Sequence, residues 1–193
     1  MLIGYDFAEN IKGFEGNIVF WFSQNWIPVL VYFFVIMYIV VYPFTLWFAP
    51  AYFLLTNNKK SMKFLSYGVL FIYLIAIPLY LFLPVTNVYT YYNKECALEY
   101  VIPSVENFFY STTTNNNCFP SLHTAITILV AYTITFTNNK KFIYFGYFTM
   151  VSVIISVIYL SIHWISDVIA GSLLAIGVIF LLRKIMRNQE KNE

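Results

Sequence analysis

Long apolar segments alternate with short polar ones along most of this chain. Five apolar runs cover residues 26–55, 64–83, 122–136, 142–160 and 165–182. Most of them are close to the roughly 20 residues that an α-helix needs to cross the hydrocarbon core of a bilayer. We therefore predict five membrane-spanning helices joined by polar connections, and we expect the functional residues in or beside these connections.

The first apolar run is too long for one helix that crosses a membrane at right angles. It contains Pro28, Pro43 and Pro50, and proline removes a helical hydrogen bond and bends the backbone. We therefore predict a kink within this run or interfacial pieces at its ends. Before it, residues 17–25 are too short for a span, so we predict a re-entrant or surface-lying segment.

The beginning of the chain carries acidic side chains at Asp6, Glu9 and Glu15. A cleavable signal peptide instead has a basic stretch followed by a compact apolar core, so we predict that this region is retained. Its composition is typical of a solvated tail or of a segment at the membrane interface. Residues 1–25 are therefore assigned as an N-terminal interfacial segment, with no predicted role in chemistry.

Composition supports a membrane location. Hydrophobic residues make up 60% of the chain and charged residues only 10%, whereas about a quarter of the residues of a soluble domain are charged. We predict an all-α integral membrane protein with a single membrane domain over residues 1–193. Small residues in the last run, Gly171 and Gly177 among them, favour close helix packing. No nucleotide-binding loop or nucleic-acid patch is present, so membrane lipids are the expected partners.

Nine of the eleven basic residues fall into three groups, which five spans place on one face of the membrane; Lys12 and Lys94 fall on the other. The three groups lie between the first and second runs, between the third and fourth, and after the fifth: Lys59, Lys60, Lys63, Lys140, Lys141, Arg183, Lys184, Arg187 and Lys191. Lysine and arginine concentrate on the cytoplasmic side of membrane proteins, so we predict an outer N-terminus and a cytoplasmic C-terminus. The opposite face receives the acidic residues Asp6, Glu9, Glu15, Glu95, Glu99, Glu106 and Asp167.

The one long polar segment, residues 84–120, is predicted to be an extracytoplasmic loop. It contains both cysteines of the chain, Cys96 and Cys118. An oxidising compartment would allow a disulfide between them, but spacing cannot establish the geometry that a disulfide needs, so bridged and unbridged cysteines are both open. The Thr- and Asn-rich stretch 111–117 is typical of a flexible linker.

Both histidines lie beside this loop, at the outer ends of two apolar runs. Pro120 and Ser121 are suited to the start of a helix, which places His123 in its first turn. His163 follows the fourth run, and Asp167 lies four residues later, a spacing that puts both side chains on one face of a helix. We therefore predict that the two histidines and the aspartate lie at the same membrane depth.

This combination is suited to phosphoryl transfer. A neutral imidazole is a good nucleophile when a carboxylate fixes its tautomer and stabilises the cation that forms. His163 would attack phosphorus, with Asp167 as the orienting carboxylate. The leaving alkoxide needs a proton, which His123 can supply, and His123 can then accept a proton from water or from an alcohol that attacks the phosphohistidine.

Each of these residues also has a structural or a metal-binding interpretation. A histidine at a membrane interface can be a helix cap, and the helix dipole alone favours an aspartate in a first turn. Ionisable groups at the edge of a span are costly, however, which favours a function for the three together. Metal binding by His123, His163 and Asp167 is the other chemical option, but the chain has no further histidine and no clustered thiols. We therefore predict no metal and no other cofactor.

Two motifs resemble those of a known family. The string PSLH at residues 120–123 resembles the second signature motif of the type 2 phosphatidic acid phosphatase superfamily, in the form typical of its inositol phosphorylceramide synthase-like branch. Ser156, His163 and Asp167 match the spacing of its third motif. The resemblance implies a helical core shared with vanadium haloperoxidases and no metal for lipid hydrolysis. It also implies a nucleophilic His163, an orienting Asp167, and His123 as the acid.

The chain departs from the family pattern at its arginines. The first family motif has no counterpart before the long loop, and Val157 replaces the arginine of the third motif. Arg183 and Arg187 are assigned to the opposite face, so the bidentate clamps that neutralise phosphate are missing. Backbone amides at the helix start could donate to phosphate instead. The candidate substrate-binding side chains are Asn87, Lys94, Ser121 and Ser156.

Together these features predict a membrane lipid phosphatase that acts at the outer face. Its substrate would be a lipid phosphate or diphosphate of the polyprenyl diphosphate or phosphatidic acid type, hydrolysed through a phosphohistidine by the catalytic helices of residues 121–183. Transfer of a phosphorylated head group between lipid and alcohol, which the PSLH form suggests, is the alternative. A catalytically silent membrane scaffold of the same fold is a third.

Overall fold

The computed structural model describes residues 5–94, 96–102 and 115–192. These residues form helices joined by short connections and contain no β-strand; Val85 and Asn117 pair only in an isolated bridge. The predicted all-α fold is confirmed. Most of the predicted flexible linker at 111–117 lies outside the described residues.

The helices follow one another along the described chain with one π-helical turn. In order they are α1 (Ala8–Glu15), α2 (Ile18–Gln24), α3 (Pro28–Ile36), the π-turn (Met37–Val41), α4 (Tyr42–Leu55), α5 (Lys59–Phe82), α6 (Val88–Tyr91), α7 (Ala97–Val101), α8 (Leu122–Ile134), α9 (Lys140–Tyr159) and α10 (Ile165–Asn192).

Four helical segments in the described part of the chain are long and apolar enough to cross a membrane. They are Pro28–Leu55, Lys59–Phe82, Lys140–Tyr159 and Ile165–Gln189. The remaining apolar run forms α8, a shorter helix of 13 residues. The chain is therefore a multi-pass membrane protein, and the five predicted spans correspond to four long helices and one short one.

The first long helix runs without a break from Pro28 to Leu55. The expected distortion takes the form of the π-turn, in which the Tyr42 N–H donates to the Met37 carbonyl oxygen. Pro43 lies two residues after this turn and has no N–H to donate. A π-turn adds one residue to a helical turn and is frequent at functional sites. Here it contains Tyr38, whose side chain is buried.

The short helix α8 lies at the centre of the bundle. It packs against α5, α9 and α10, and nine of its 13 residues are buried. Glycines let its neighbours approach closely: a Cβ on Gly68 would lie 2.6 Å from the Leu129 side chain, and one on Gly146 would lie 2.9 Å from Ile134. Because protein surrounds it, α8 does not need the length of a lipid-exposed span.

The three groups of basic residues meet at one end of the bundle. Lys63 Nζ, at the start of α5, donates to Gln189 Oε1 near the end of α10 at 3.1 Å. Asn139 Nδ2, before α9, donates to the hydroxyl of Tyr52 in α4 at 3.3 Å. The fold therefore gathers the basic groups as the sequence predicts, whereas the side of the membrane on which they lie remains a prediction.

The N-terminal segment packs over the opposite end of the bundle. The Phe7 N–H donates to the Pro84 carbonyl at 3.0 Å, and Ser161 Oγ donates to the Val19 carbonyl at 3.3 Å. Ala8 and Val19 are buried. Ala8 and Val19 pack against Val85, Val88 and Trp164, whereas Phe14, Ile18 and Trp21 stay exposed. The segment therefore docks on the bundle through a few side chains, and its assignment as an interfacial segment stays a prediction.

Candidate active site

The two histidines and the aspartate form a continuous hydrogen-bonded chain. His123 Nδ1 lies 3.3 Å from His163 Nε2, and His163 Nδ1 lies 3.2 Å from Asp167 Oδ2. His163 is 4% exposed and Asp167 is fully buried. The structure thus brings together the three side chains that the sequence predicts to act together.

His163 lies in the connection between α9 and α10, and not on one helix with Asp167 as the four-residue spacing predicts. Its N–H donates to the Val157 carbonyl at 3.0 Å, which turns the chain at the end of α9. Asp167 nevertheless reaches the imidazole from the first turn of α10. Its Oδ2 also accepts from the Trp164 N–H at 3.0 Å, which is one half of a capping box. The capping turn therefore orients the carboxylate towards His163.

A second carboxylate holds the start of α10. Glu15, at the end of α1, accepts from the N–H groups of Ile165 at 2.9 Å and Ser166 at 2.5 Å. The first turn of a helix leaves such groups without partners and favours negative charge. The sequence does not reveal this role, because a contact between residues 150 positions apart leaves no local pattern.

The start of α8 is held directly against α10. The Ser121 N–H donates to the Asp167 carbonyl at 3.0 Å, and Ser121 Oγ caps α8 by accepting from the Thr124 N–H at 3.4 Å. A Cβ on Gly171 would lie only 2.3 Å from the Ser121 carbonyl oxygen. Glycine at position 171 thus permits the backbone approach that places His123 opposite the α10 start.

Tyr38 extends the chain of hydrogen bonds at its other end. Its hydroxyl oxygen lies 2.9 Å from His123 Nε2, and the two ring centroids are 4.9 Å apart. Nothing in the sequence distinguishes its side chain chemically from those of the other 16 of the 17 tyrosines. The one local signal is Pro43, five positions later, since a proline within a span indicates a distorted turn before it.

The hydrogen-bond pattern assigns a tautomer to each ring. An ionised Asp167 can only accept, so His163 Nδ1 carries the proton and its Nε2 presents a lone pair. That lone pair accepts from the N–H at His123 Nδ1. His123 Nε2 is then an acceptor, and the Tyr38 hydroxyl donates to it. The resting site therefore presents an unprotonated nitrogen of His163 to whatever enters beside it.

A cavity of about 470 Å³ opens onto both histidines. Its polar lining consists mainly of tyrosine, asparagine and cysteine side chains, among them Tyr73, Tyr80, Asn115 and Asn117. Among the lining residues that the structure describes, none is a lysine, arginine, aspartate or glutamate. A ligand in this cavity would therefore meet hydroxyls, amides, thiols and aromatic faces.

The structure places only one of the four predicted substrate-binding residues at the cavity. Asn87 lines it, and its buried side chain also caps α6. Lys94 is exposed, with Nζ 6.0 Å from the ring centroid of Phe20. Ser121 and Ser156 are fully buried, and each hydroxyl bonds within or beside its own helix. These three side chains are therefore not brought to the cavity.

Both cysteines line the cavity as thiols, and no disulfide joins them. Burial raises the pKa of the Cys118 thiol well above its usual value, and the charge of Asp167 adds to this. Ligand atoms of Cys118, His163 and Asp167 lie within 4.8 Å of one another. This set differs from the His123, His163 and Asp167 set considered from the sequence. Of the residues described, it is the group that could hold a metal ion.

Comparison with known proteins places this region in a family. A family model described as the PAP2 superfamily matches residues 84–191, which is more than half of the chain. The matched segment contains His123, His163 and Asp167. No curated protein and no solved structure matches the chain. The match names no branch of the family.

Proposed function

Because the chain belongs to the PAP2 superfamily, we propose that it hydrolyses a lipid phosphate or diphosphate through a phosphohistidine intermediate at the outer membrane face. Phosphatidic acid and polyprenyl diphosphates are the candidate substrates. The observation that carries this proposal is the hydrogen-bonded chain of Asp167, His163 and His123 beside the cavity. Superfamily membership supports a phosphatase-like or related lipid function.

In the first half-reaction, His163 Nε2 forms a bond to phosphorus while the bond from phosphorus to the leaving oxygen breaks. Asp167 keeps the proton on Nδ1 and stabilises the positive charge that develops on the ring. Protonated His123 gives its Nδ1 proton to the leaving oxygen. The phosphoryl group enters between the two rings, where it replaces the 3.3 Å contact between them.

In the second half-reaction, water gives a proton to His123 Nδ1 and its oxygen attacks phosphorus. The nitrogen–phosphorus bond breaks, and inorganic phosphate and neutral His163 are restored. An alcohol in place of water would take the phosphoryl group by the same steps. Hydrolysis and transfer therefore differ only in the acceptor that reaches His123.

Phosphate oxygens would be held by neutral donors. The N–H groups of Leu122 and His123, in the first turn of α8, have no acceptor among the described residues, and both residues line the cavity. The helix dipole favours an anion at this position. Asn87 accepts from the Thr90 N–H through Oδ1, which leaves its amide N–H groups as further donors.

The uncharged lining supports a second candidate function. A phosphate monoester or a diphosphate carries about two or more negative charges at neutral pH, whereas a phosphodiester carries one. Burying the larger charge without a cation is the more costly of the two. Transfer of a phosphorylated head group from a phosphodiester lipid to an alcohol, as in the branch that the PSLH string resembles, therefore suits this cavity.

The experiment is an assay of purified protein with phosphatidic acid, polyprenyl diphosphates and phosphodiester lipids, with and without alcohol acceptors. Phosphate release measures hydrolysis, and mass spectrometry of the lipids measures transfer. His163→Ala and His123→Ala should each abolish the activity found, whereas Asn138→Ala, at the opposite end of the bundle, should not change it. Wild-type protein that transforms none of these lipids would contradict the proposal and favour the silent scaffold.

A further inference from the structure

We propose that Tyr38 is a positioning residue that holds His123 in the orientation needed to protonate the leaving group. This inference rests on the proposed function. Its basis is the 2.9 Å contact between the Tyr38 hydroxyl and His123 Nε2, together with the burial of Tyr38, which is only 3% exposed. The hydroxyl is hydrogen-bonded to the ring nitrogen of His123 that does not contact His163.

The partners of the two imidazoles differ in charge, and this difference assigns them different tasks. His163 bonds to a carboxylate, which stabilises an imidazolium and makes Nε2 a better nucleophile. His123 bonds to a neutral phenol, which provides no such stabilisation. A protonated His123 therefore releases its proton more readily than a protonated His163 would. The carboxylate of Asp167 thus marks His163 as the nucleophile, and the hydroxyl of Tyr38 marks His123 as the acid.

A hydroxyl can serve His123 in both of its protonation states. In the resting neutral ring, with its proton on Nδ1, the Tyr38 O–H donates to Nε2. In the protonated ring, and in the neutral ring that has just given up its Nδ1 proton, Nε2–H donates to the Tyr38 oxygen. Tyr38 neither gains nor loses a proton over the cycle. The proton that reaches the leaving oxygen comes from His123 Nδ1 and is replaced by the attacking water. Nδ1 therefore faces the phosphoryl group throughout.

The backbone supports this role. Tyr38 lies in the π-turn of the first long helix, which directs its side chain into the bundle. Tyr42 provides a matched control, because its ring centroid lies 5.3 Å from that of His123, yet no hydrogen bond joins its hydroxyl to His123 in the described structure. Tyr38→Phe and Tyr42→Phe therefore remove the same atom from two rings that both pack on His123.

The kinetic test compares an alkyl phosphate with a nitrophenyl phosphate. An alkoxide needs a proton to leave, whereas nitrophenolate does not. General acid catalysis typically contributes about 10²- to 10⁴-fold, so Tyr38→Phe should lower kcat/KM, which ends at phosphohistidine formation, by about 10- to 100-fold on the alkyl ester and by less than about threefold on the nitrophenyl ester. Tyr42→Phe should change neither by more than about twofold. Equal losses on both esters, or no loss on the alkyl ester, would overturn the inference.

A second measurement does not depend on turnover. The chain has only two histidines, so ¹⁵N spectra of histidine-labelled protein show two rings. Tyr38→Phe should shift the Nε2 resonance of His123 and leave the Nδ1 resonance of His163 in place. Failure of the wild-type protein to cleave either ester would contradict the proposed function, while an unshifted His123 resonance would overturn the role of Tyr38 by itself.

Discussion

At the scale of single residues, Asp167 has two structural tasks. Its Oδ2 accepts both from His163 Nδ1 and from the Trp164 N–H, so the same oxygen orients the imidazole and caps α10. Its Oδ1 is buried and has no hydrogen-bond partner among the described residues. The carboxylate is therefore fixed by the backbone before it acts on the imidazole.

Asp167→Asn should retain the fold and lose most of the activity. An asparagine can present its N–H₂ group to His163, which favours the tautomer with the proton on Nε2 and blocks the nucleophilic nitrogen. In a comparable carboxylate–imidazole arrangement such a change costs about 10⁴-fold, so we expect a loss of about 10³-fold or more in kcat. Turnover numbers and thermal unfolding of the two proteins measure this. A loss of less than about tenfold would show that the carboxylate does not set the tautomer.

The sequence predicts the candidate catalytic residues better than the residues that hold them in position. His123, His163 and Asp167 are identifiable because polar, ionisable groups at the ends of apolar runs are costly and conspicuous. Tyr38 and Glu15 come from other parts of the chain, and their bonds to the site depend on how the helices pack. A tyrosine among many aromatic residues, or a glutamate in an acidic segment, carries no local mark of such a bond.

At the scale of helices, the contact between α8 and α10 sets the separation of the two histidines. The close approach at Gly171 involves a backbone atom of Ser121, which cannot rotate away as a side chain can. Gly177, on the same helix, has no atom within 4 Å of the place a Cβ would occupy. The sequence predicts close packing at both glycines, and the structure shows it at Gly171 alone.

Gly171→Ala should therefore be damaging and Gly177→Ala should be neutral. Forcing a methyl group into a packed contact typically costs about 1–3 kcal/mol. If α8 and α10 moved apart to remove the clash, His123 would also move away from His163. We expect a lower unfolding temperature and at least a tenfold loss of kcat for the first variant only. Equal effects of the two substitutions would contradict a special role for the α8–α10 contact.

Glu15 links the N-terminal helix to the start of α10. Glu15→Ala should lower the unfolding free energy by about 1 kcal/mol, the usual cost of losing a helix cap, and should also reduce kcat because the capped turn holds Asp167. Phe14→Ala is the control, since Phe14 is 92% exposed. Thermal unfolding and steady-state kinetics of the Glu15→Ala and Phe14→Ala variants measure both effects. An unchanged Glu15→Ala protein would show that the cap does not contribute.

At the scale of the whole molecule, the three basic groups and the candidate active site lie at opposite ends of the bundle. The basic groups meet where Lys63 contacts Gln189, and the histidines lie beside the N-terminal helices and the described part of the 84–120 loop. The apolar runs predict this arrangement well because bilayer thickness dictates helix length. The apolar runs predict α8 less well, because a helix that is enclosed by other helices does not need to match the thickness of the bilayer.

The basic end is expected to face the cytoplasm, which places the histidines outside. In protein whose two native cysteines are replaced by serine, Gly13→Cys should react with an impermeant thiol reagent added to intact cells. Gly13 has open space at its Cβ position. Asn138→Cys, exposed at the other end, should react only after permeabilisation. The reverse pattern would put the site at the cytoplasmic leaflet.

The uncharged cavity has a consequence for the end of each turnover. Under the proposed hydrolysis, inorganic phosphate would occupy a pocket whose described lining offers it no cation, and burying an anion without a cation is costly. Added phosphate should therefore inhibit weakly, and raising the ionic strength should barely change KM, because there is little long-range attraction for salt to screen. Initial rates measured against phosphate and sodium chloride test both points. Weak inhibition by its product would let the proposed enzyme keep working in surroundings rich in phosphate.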